Sequence, residues 1–286
     1  MKQINIPYRD YIGDYGSVVV RMHNKNKWGE DNQIKILLSG LQDDVAERYD
    51  IYKSIFNSED IVGALGGGYD DDCKKALQSM YIGDSARVGE IKQHIRDIQE
   101  EDWKDLCPYC GINCFSGYDH YLPKGEFPEY SILAINLIHC CSTCNTKKLE
   151  YWKDDLDRGI VNPYLDDLSD VEYLLCGVNC NNGIPVVEFS LESTGNDVFD
   201  SLLIKHFARF DLLARYKDRS NSEISTIRDD IESYSGTLDL ESLRTVLQDR
   251  YQREVLRFGR SFWKCALRKA LYLSDDYLRM LVRTEA

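Results

Sequence analysis

Long hydrophobic runs are absent from this chain. No apolar stretch approaches the ~20 residues that cross a bilayer, and the opening MKQINIPYRDY lacks the charged-then-apolar layout of a secretory leader. A cytoplasmic protein with no membrane partner is therefore expected. Proline is scarce, with 6 in 286 residues, so few Pro-rich linkers mark domain edges. Internal repeats and low-complexity tracts are missing too, which sets aside repeat architectures. Positive charge is in deficit: 35 Lys and Arg against 48 Asp and Glu leave a net charge of -13. That balance excludes a protein that coats nucleic acid through bulk charge. The deficit is uneven. From Leu203 onward 16 Lys and Arg face 13 Asp and Glu, whereas the earlier residues hold 19 against 35. Contact with nucleic acid should lean on the C-terminal third.

What is present is the composition of a soluble globular protein, 43% apolar and 29% charged. The length suits roughly two ordinary domains, or one large one with insertions. Residues 1–104 read as an N-terminal helical lobe: Ile34, Leu37 and Leu38, then Val45, Tyr49, Tyr52 and Ile55, recur at three- and four-residue steps. Gly63 and the run Gly66, Gly67 and Gly68 should break it, because glycine costs backbone entropy inside a helix. Shorter helices are expected over Asp72–Tyr81 and Ala86–Gln99. Residues 105–151 form a compact middle module of cysteine pairs and turns. Residues 152–286 read as a hairpin plus a helical lobe, with strands at Val171–Cys176 and Pro185–Leu191 around Asn179-Cys180-Asn181-Asn182-Gly183. Helical spacing follows over Leu202–Tyr216, Glu223–Glu232 and one long segment, Leu240–Leu273.

Ten cysteines in a reducing compartment call for a metal reading before a disulfide one. Cys107-Pro-Tyr-Cys110 and Cys141-Ser-Thr-Cys144 are two C-x-x-C knuckles, which together offer the four thiolates of a closed structural zinc site. Cys114 and Cys140 compete less well, since neither completes a knuckle. Cys176 and Cys180 leave open a second metal site or a plain strand and loop pair. Between the knuckles lie Asp119-His120 and Asn136, and Asn145 follows the last cysteine, with Lys147 and Lys148 after it. His139 reads as a packing residue, and His23, His94 and His206 as ordinary surface or core residues.

This string resembles the HNH endonucleases, whose ββα-metal motif is wrapped by two C-x-x-C knuckles in many members. The resemblance implies an α+β, mostly helical protein with a central zinc-stapled ββα module between helical lobes. It implies His120 as general base, Asp119 and Asn145 as oxygen ligands of a catalytic Mg2+ or Mn2+, and Asn136 as the residue tying the loop to the base-bearing strand. Asn in the last position, where the eponymous pattern has His, favours a hard cation. The flanking Asp119-His-Tyr-Leu-Pro-Lys124, Phe127-Pro-Glu-Tyr-Ser-Ile132, Asn162-Pro-Tyr164 and His206-Phe207 also resemble stand-alone bacterial HNH proteins encoded beside ATPases in anti-phage systems such as Septu. That likeness implies a DNA nuclease effector in a complex with an ATPase. A non-catalytic zinc-bearing interaction subunit and an HNH enzyme acting on RNA remain the competing expectations.

Lys124, Lys147 and Lys148 are candidate phosphate contacts. A second basic feature lies near the C-terminus. On one continuous helix, Arg250, Arg253, Arg257, Arg260, Lys264 and Arg268 fall within about 80° of one another, a face suited to DNA, to an acidic partner or to self-packing.

Overall fold

The computed structural model describes residues 2–57, 61–63, 66–82, 86–155, 157–181, 183–232 and 239–283. The chain divides into two compact units. One comprises Ile4–Tyr109 and Asn113–Leu165, the other Met1–Gln3, Cys110–Ile112 and Asp166–Ala286. Helices dominate, as the expected α+β, mostly helical class requires, and among the described residues strands are confined to two antiparallel pairs. No helix among the described residues is long and apolar enough to cross a membrane.

The first unit opens with α1 (Tyr11–Arg21), α2 (Gln33–Gly40), α3 (Gln42–Asn57), α4 (Asp71–Ile82), α5 (Ala86–Asp97) and the short α6 (Glu101–Lys104). Asp10 starts α1 by accepting from the Gly13 amide at 3.0 Å, and Asn32 caps α2 in the same way. The expected break at the glycines holds: Gly66–Asp70 carries no regular structure, and Gly68 sits at φ +68, a conformation that suits a residue without Cβ. The helix α1 was not foreseen, because Gly13 and Gly16 blur its apolar spacing. Yet Tyr11, Tyr15, Val18 and Val19 are buried along one face.

After α6 the same unit holds β1 (Gly117–His120), β2 (Leu137–Cys140) and α7 (Ser142–Lys148). The strands pair antiparallel with Asp119 opposite Ile138 and His120 opposite Leu137. Tyrosine hydroxyls fasten the surrounding loops. Tyr121 donates to the Ile160 carbonyl at 2.7 Å, Tyr164 to Leu137 at 2.8 Å and Tyr15 to Leu38 at 2.8 Å. The bonds to Ile160 and Leu137 satisfy buried carbonyls that would otherwise cost free energy, and the bond to Leu38 adds to the one its carbonyl accepts from the Leu41 amide.

The second unit contains β3 (Leu174–Asn181), β4 (Ile184–Leu191), α8 (Asp197–Phe210), α9 (Leu212–Glu232), α10 (Leu240–Phe258), α11 (Trp263–Leu273) and α12 (Asp275–Arg283). The hairpin is longer and tighter than expected: β3 pairs with β4 from Leu174↔Leu191 to Asn181↔Ile184, so the predicted loop over 179–181 is strand. Asn182 lies outside the described residues. The helices break elsewhere than their apolar spacing suggested. Leu202–Tyr216 is divided at Asp211, which adopts a left-handed conformation and caps α8, and α9 then runs on through the expected gap. The single segment Leu240–Leu273 is two helices, because Gly259 takes φ +87 and the Arg260 amide turns to the Ser169 carbonyl at 2.8 Å.

Candidate functional site

The two cysteine knuckles converge. Cys107, Cys110, Cys141 and Cys144 are all buried, and their sulfur atoms lie within 4.8 Å of one another. An all-thiolate set at this separation fits zinc, whose tetrahedral bonds to sulfur are ~2.3 Å long. Backbone and amide donors are already aimed at the sulfurs: the Ile112 amide points to Cys110 Sγ at 3.4 Å, the Cys144 amide to Cys141 Sγ at 3.4 Å and Asn113 Nδ2 to Cys141 Sγ at 3.7 Å. Such bonds favour the charged thiolate. Cys114 is exposed and Cys140 buried, and neither joins the cluster. Cys176 and Cys180 both lie on β3, opposite Phe189 and Pro185. Four residues of extended chain, roughly 13 Å, separate them, so they cannot share one ion.

Asn136 precedes β2 and is fully buried. Its Oδ1 accepts from the Leu122 amide at 2.8 Å and from the Tyr52 hydroxyl at 3.2 Å, while its Nδ2 donates to the carbonyls of Leu122 at 3.0 Å and Tyr130 at 3.3 Å. Its side chain thus acts as a further rung of the ladder, holding the chain leaving β1 against the loop that enters β2.

His120 ends β1. Its Nε2 lies 2.9 Å from the Ser131 carbonyl. A carbonyl can only accept, so Nε2 carries the proton, and Nδ1 of the neutral ring is the available base. Burial, reinforced by Lys124, Lys148 and Lys92 and opposed by the Ser131 bond, lowers its pKa to about 3. The ring meets Tyr81 edge-on, with centroids 4.5 Å apart. Asp119 is deeper still, at 3% exposure. Its oxygens receive the Tyr109 hydroxyl at 2.8 Å and the Lys148 ammonium at 3.1 and 3.2 Å. Desolvation raises its pKa, and Lys148 and Tyr109 work against that rise.

A cavity of about 440 Å³ gathers these groups, lined by Asp119, His120, Asn145, Tyr81, Lys124 and Glu150 among others. Asn145 reaches it from α7. Asp119 and Asn145 bring a carboxylate and a side-chain amide to this cavity, the kind of oxygen donors a hard divalent cation takes, although the Asp119 oxygens already accept from Tyr109 and Lys148. Lys148 requires a correction. Expected beside Lys147 as a phosphate contact, it has no exposed surface and spends its ammonium on Asp119 and, at 2.8 Å, on the His120 carbonyl. Consecutive positions on α7 point ~100° apart, so Lys147 stays half-buried while Lys148 turns inward.

His139 is buried with Nε2 on the Trp103 carbonyl at 2.9 Å, a packing arrangement. The basic stripe near the C-terminus does not survive as one face, since Lys264 and Arg268 belong to α11. Arg250 pairs with Asp230 at 2.9 Å, Lys264 with Glu223 at 2.8 Å, and Arg268 with Glu223 and Glu254 at 2.6 Å. Arg253, Arg257 and Arg260 remain exposed. Sequence spacing missed Tyr81 and Lys92, which come from helices distant in the chain from the cysteine module.

With this geometry in place, comparison with known proteins adds one relationship. Protein ea31 of Escherichia phage lambda is similar. The two are 26% identical over 191 residues, covering 61% of this chain and 64% of that protein. The chain thus spans less than two thirds of the length of the curated relative it matches. No family model matches, and no solved structure does.

Proposed function

We propose that the chain is a metal-dependent endonuclease of the HNH class that hydrolyses DNA phosphodiester bonds. The observation that carries this reading is the fixed tautomer of His120, whose Nε2 is committed to Ser131 while the ring lines a cavity shared with Asp119 and Asn145. His120 Nδ1 takes the proton of the attacking water. Asn136 holds the strand that presents it, and the zinc at Cys107, Cys110, Cys141 and Cys144 staples the flanking knuckles. Asp119 and Asn145 would hold Mg2+ or Mn2+, which when bound neutralises charge on the phosphate and leaving oxygen. The net charge of -13 suits a subunit that draws DNA affinity from a partner, and an ATPase-containing defence complex is the partner this reading carries.

The test is nicking of supercoiled plasmid in Mg2+, with single-stranded RNA as a second substrate. His120→Ala should abolish nicking while zinc content and thermal midpoint stay at wild-type values. Equal nicking by wild type and His120→Ala would overturn the assignment. A second reading, a zinc-bearing interaction subunit without catalysis, is favoured by the Lys148 ammonium, which already balances the Asp119 charge. Under that reading no metal or substrate condition yields cleavage.

A further inference from the structure

The cavity mouth carries a second set of groups. Tyr81 of α4 presents its ring to two ammonium groups: Lys92 Nζ of α5 lies 3.9 Å from the ring centroid and Lys124 Nζ lies 5.3 Å from it. The same ring packs edge-on against His120. Both lysines are half-buried, and among the described residues neither has a carboxylate within ion-pair distance. Burial, followed by the neighbouring charge of Lys124, lowers the pKa of Lys92. Both lysines also act on His120, in the direction expected of cations facing one imidazole.

The placement is built rather than incidental. The Tyr118 hydroxyl of β1 donates to the Lys92 carbonyl, and Gln78 Nε2 of α4 donates to the Lys124 carbonyl at 2.9 Å. Two like charges against one aromatic ring, near enough for Lys124 to lower the pKa of Lys92, repel each other and gain only a modest cation–π attraction. An anion drawn to both offsets that repulsion. Glu150 and Asp119 face the same cavity, but Asp119 is already neutralised by Lys148 and Glu150 is exposed.

We propose that Lys92 and Lys124, presented over Tyr81, form a subsite for one backbone phosphate of the DNA strand entering the His120 cavity. This rests on the nuclease reading, and it gives the N-terminal helices a part in substrate binding that the cysteine module alone does not supply. The Tyr81 ring lies against both ammonium groups and packs edge-on against His120.

Fluorescence anisotropy with a short DNA duplex, in buffer free of Mg2+ and across a salt series, tests the subsite. The variant Lys92→Gln/Lys124→Gln should bind at least tenfold more weakly at low salt. Its logarithmic salt slope should fall by ~0.9, the contribution of one neutralised phosphate. Lys92→Arg/Lys124→Arg should restore the slope, and Lys124→Gln alone, on an accessible loop, should lower it if the double variant does not fold. Plasmid nicking by the wild type runs in parallel. An unchanged slope with nicking intact overturns the subsite and leaves the nuclease reading standing. A lost slope without any wild-type nicking sinks the nuclease reading and keeps the subsite. A wild type that neither binds nor nicks overturns both.

Discussion

With no exposed surface and an ammonium bonded to both oxygens of Asp119, Lys148 balances a carboxylate that burial alone would push toward protonation. Removing one partner of such a pair costs far more than the pair contributes, because the survivor is left charged and dry. Lys148→Met should therefore destabilise the protein by about 3–5 kcal/mol, measured as a lower urea midpoint at unchanged slope. Equal stability would show that Asp119 finds water or another cation. Asn136 is the second residue on which the site depends. Asn136→Ala deletes its bonds to Leu122, Tyr130 and Tyr52 and leaves buried backbone groups unpaired. A loss of about 3 kcal/mol or more is expected, with the far-ultraviolet spectrum retained. Cys144→Ser should release zinc and lower the thermal midpoint together. Metal analysis showing full zinc in that variant would shift the ligand role to Cys140 or Cys114.

At the scale of elements, the β1–β2–α7 unit was legible because its chemistry is written locally: two knuckles, a DH pair, Asn136 and Asn145 fall within one short stretch. The buried cluster follows from the knuckle spacing in that stretch, and the strand pair from the resemblance the stretch carries. What could not be read were contributions from afar. Tyr81 and Lys92 reach the site through packing of α4 and α5, and nothing in their neighbouring residues signals it. Helix ends also escaped the periodicity. Apolar spacing runs from α10 into α11 unbroken, and only the backbone freedom of Gly259 divides them. A Cβ at that position would lie 2.9 Å from Ser169 Cα, at a φ of +87. Gly259→Ala should cost more than the ~1 kcal/mol typical of a strained left-handed alanine, read by chemical denaturation.

For the whole molecule, the charge of -13 opposes association with a polyanion, so the DNA contact proposed for it has to rest on a few local cations. Nicking by the isolated chain should fall steeply as salt rises from low to physiological, and a bound partner should flatten that dependence. The tyrosine-fastened loops have a consequence in alkaline solution. Of 19 tyrosines, Tyr52, Tyr164, Tyr15 and Tyr173 are buried with pKa values raised above the ordinary ~10, by desolvation first in each case. The folded chain therefore keeps protons that the unfolded chain surrenders, so stability is intact below about pH 10 and is lost as pH climbs past it. Phenolate absorbance should then develop in two stages, a gradual rise from surface rings and a later cooperative jump coinciding with loss of the circular dichroism signal. Ionisation of the interior rings becomes a reporter of global opening, with the grip of the Tyr15, Tyr52 and Tyr164 hydroxyls on their carbonyls released at once.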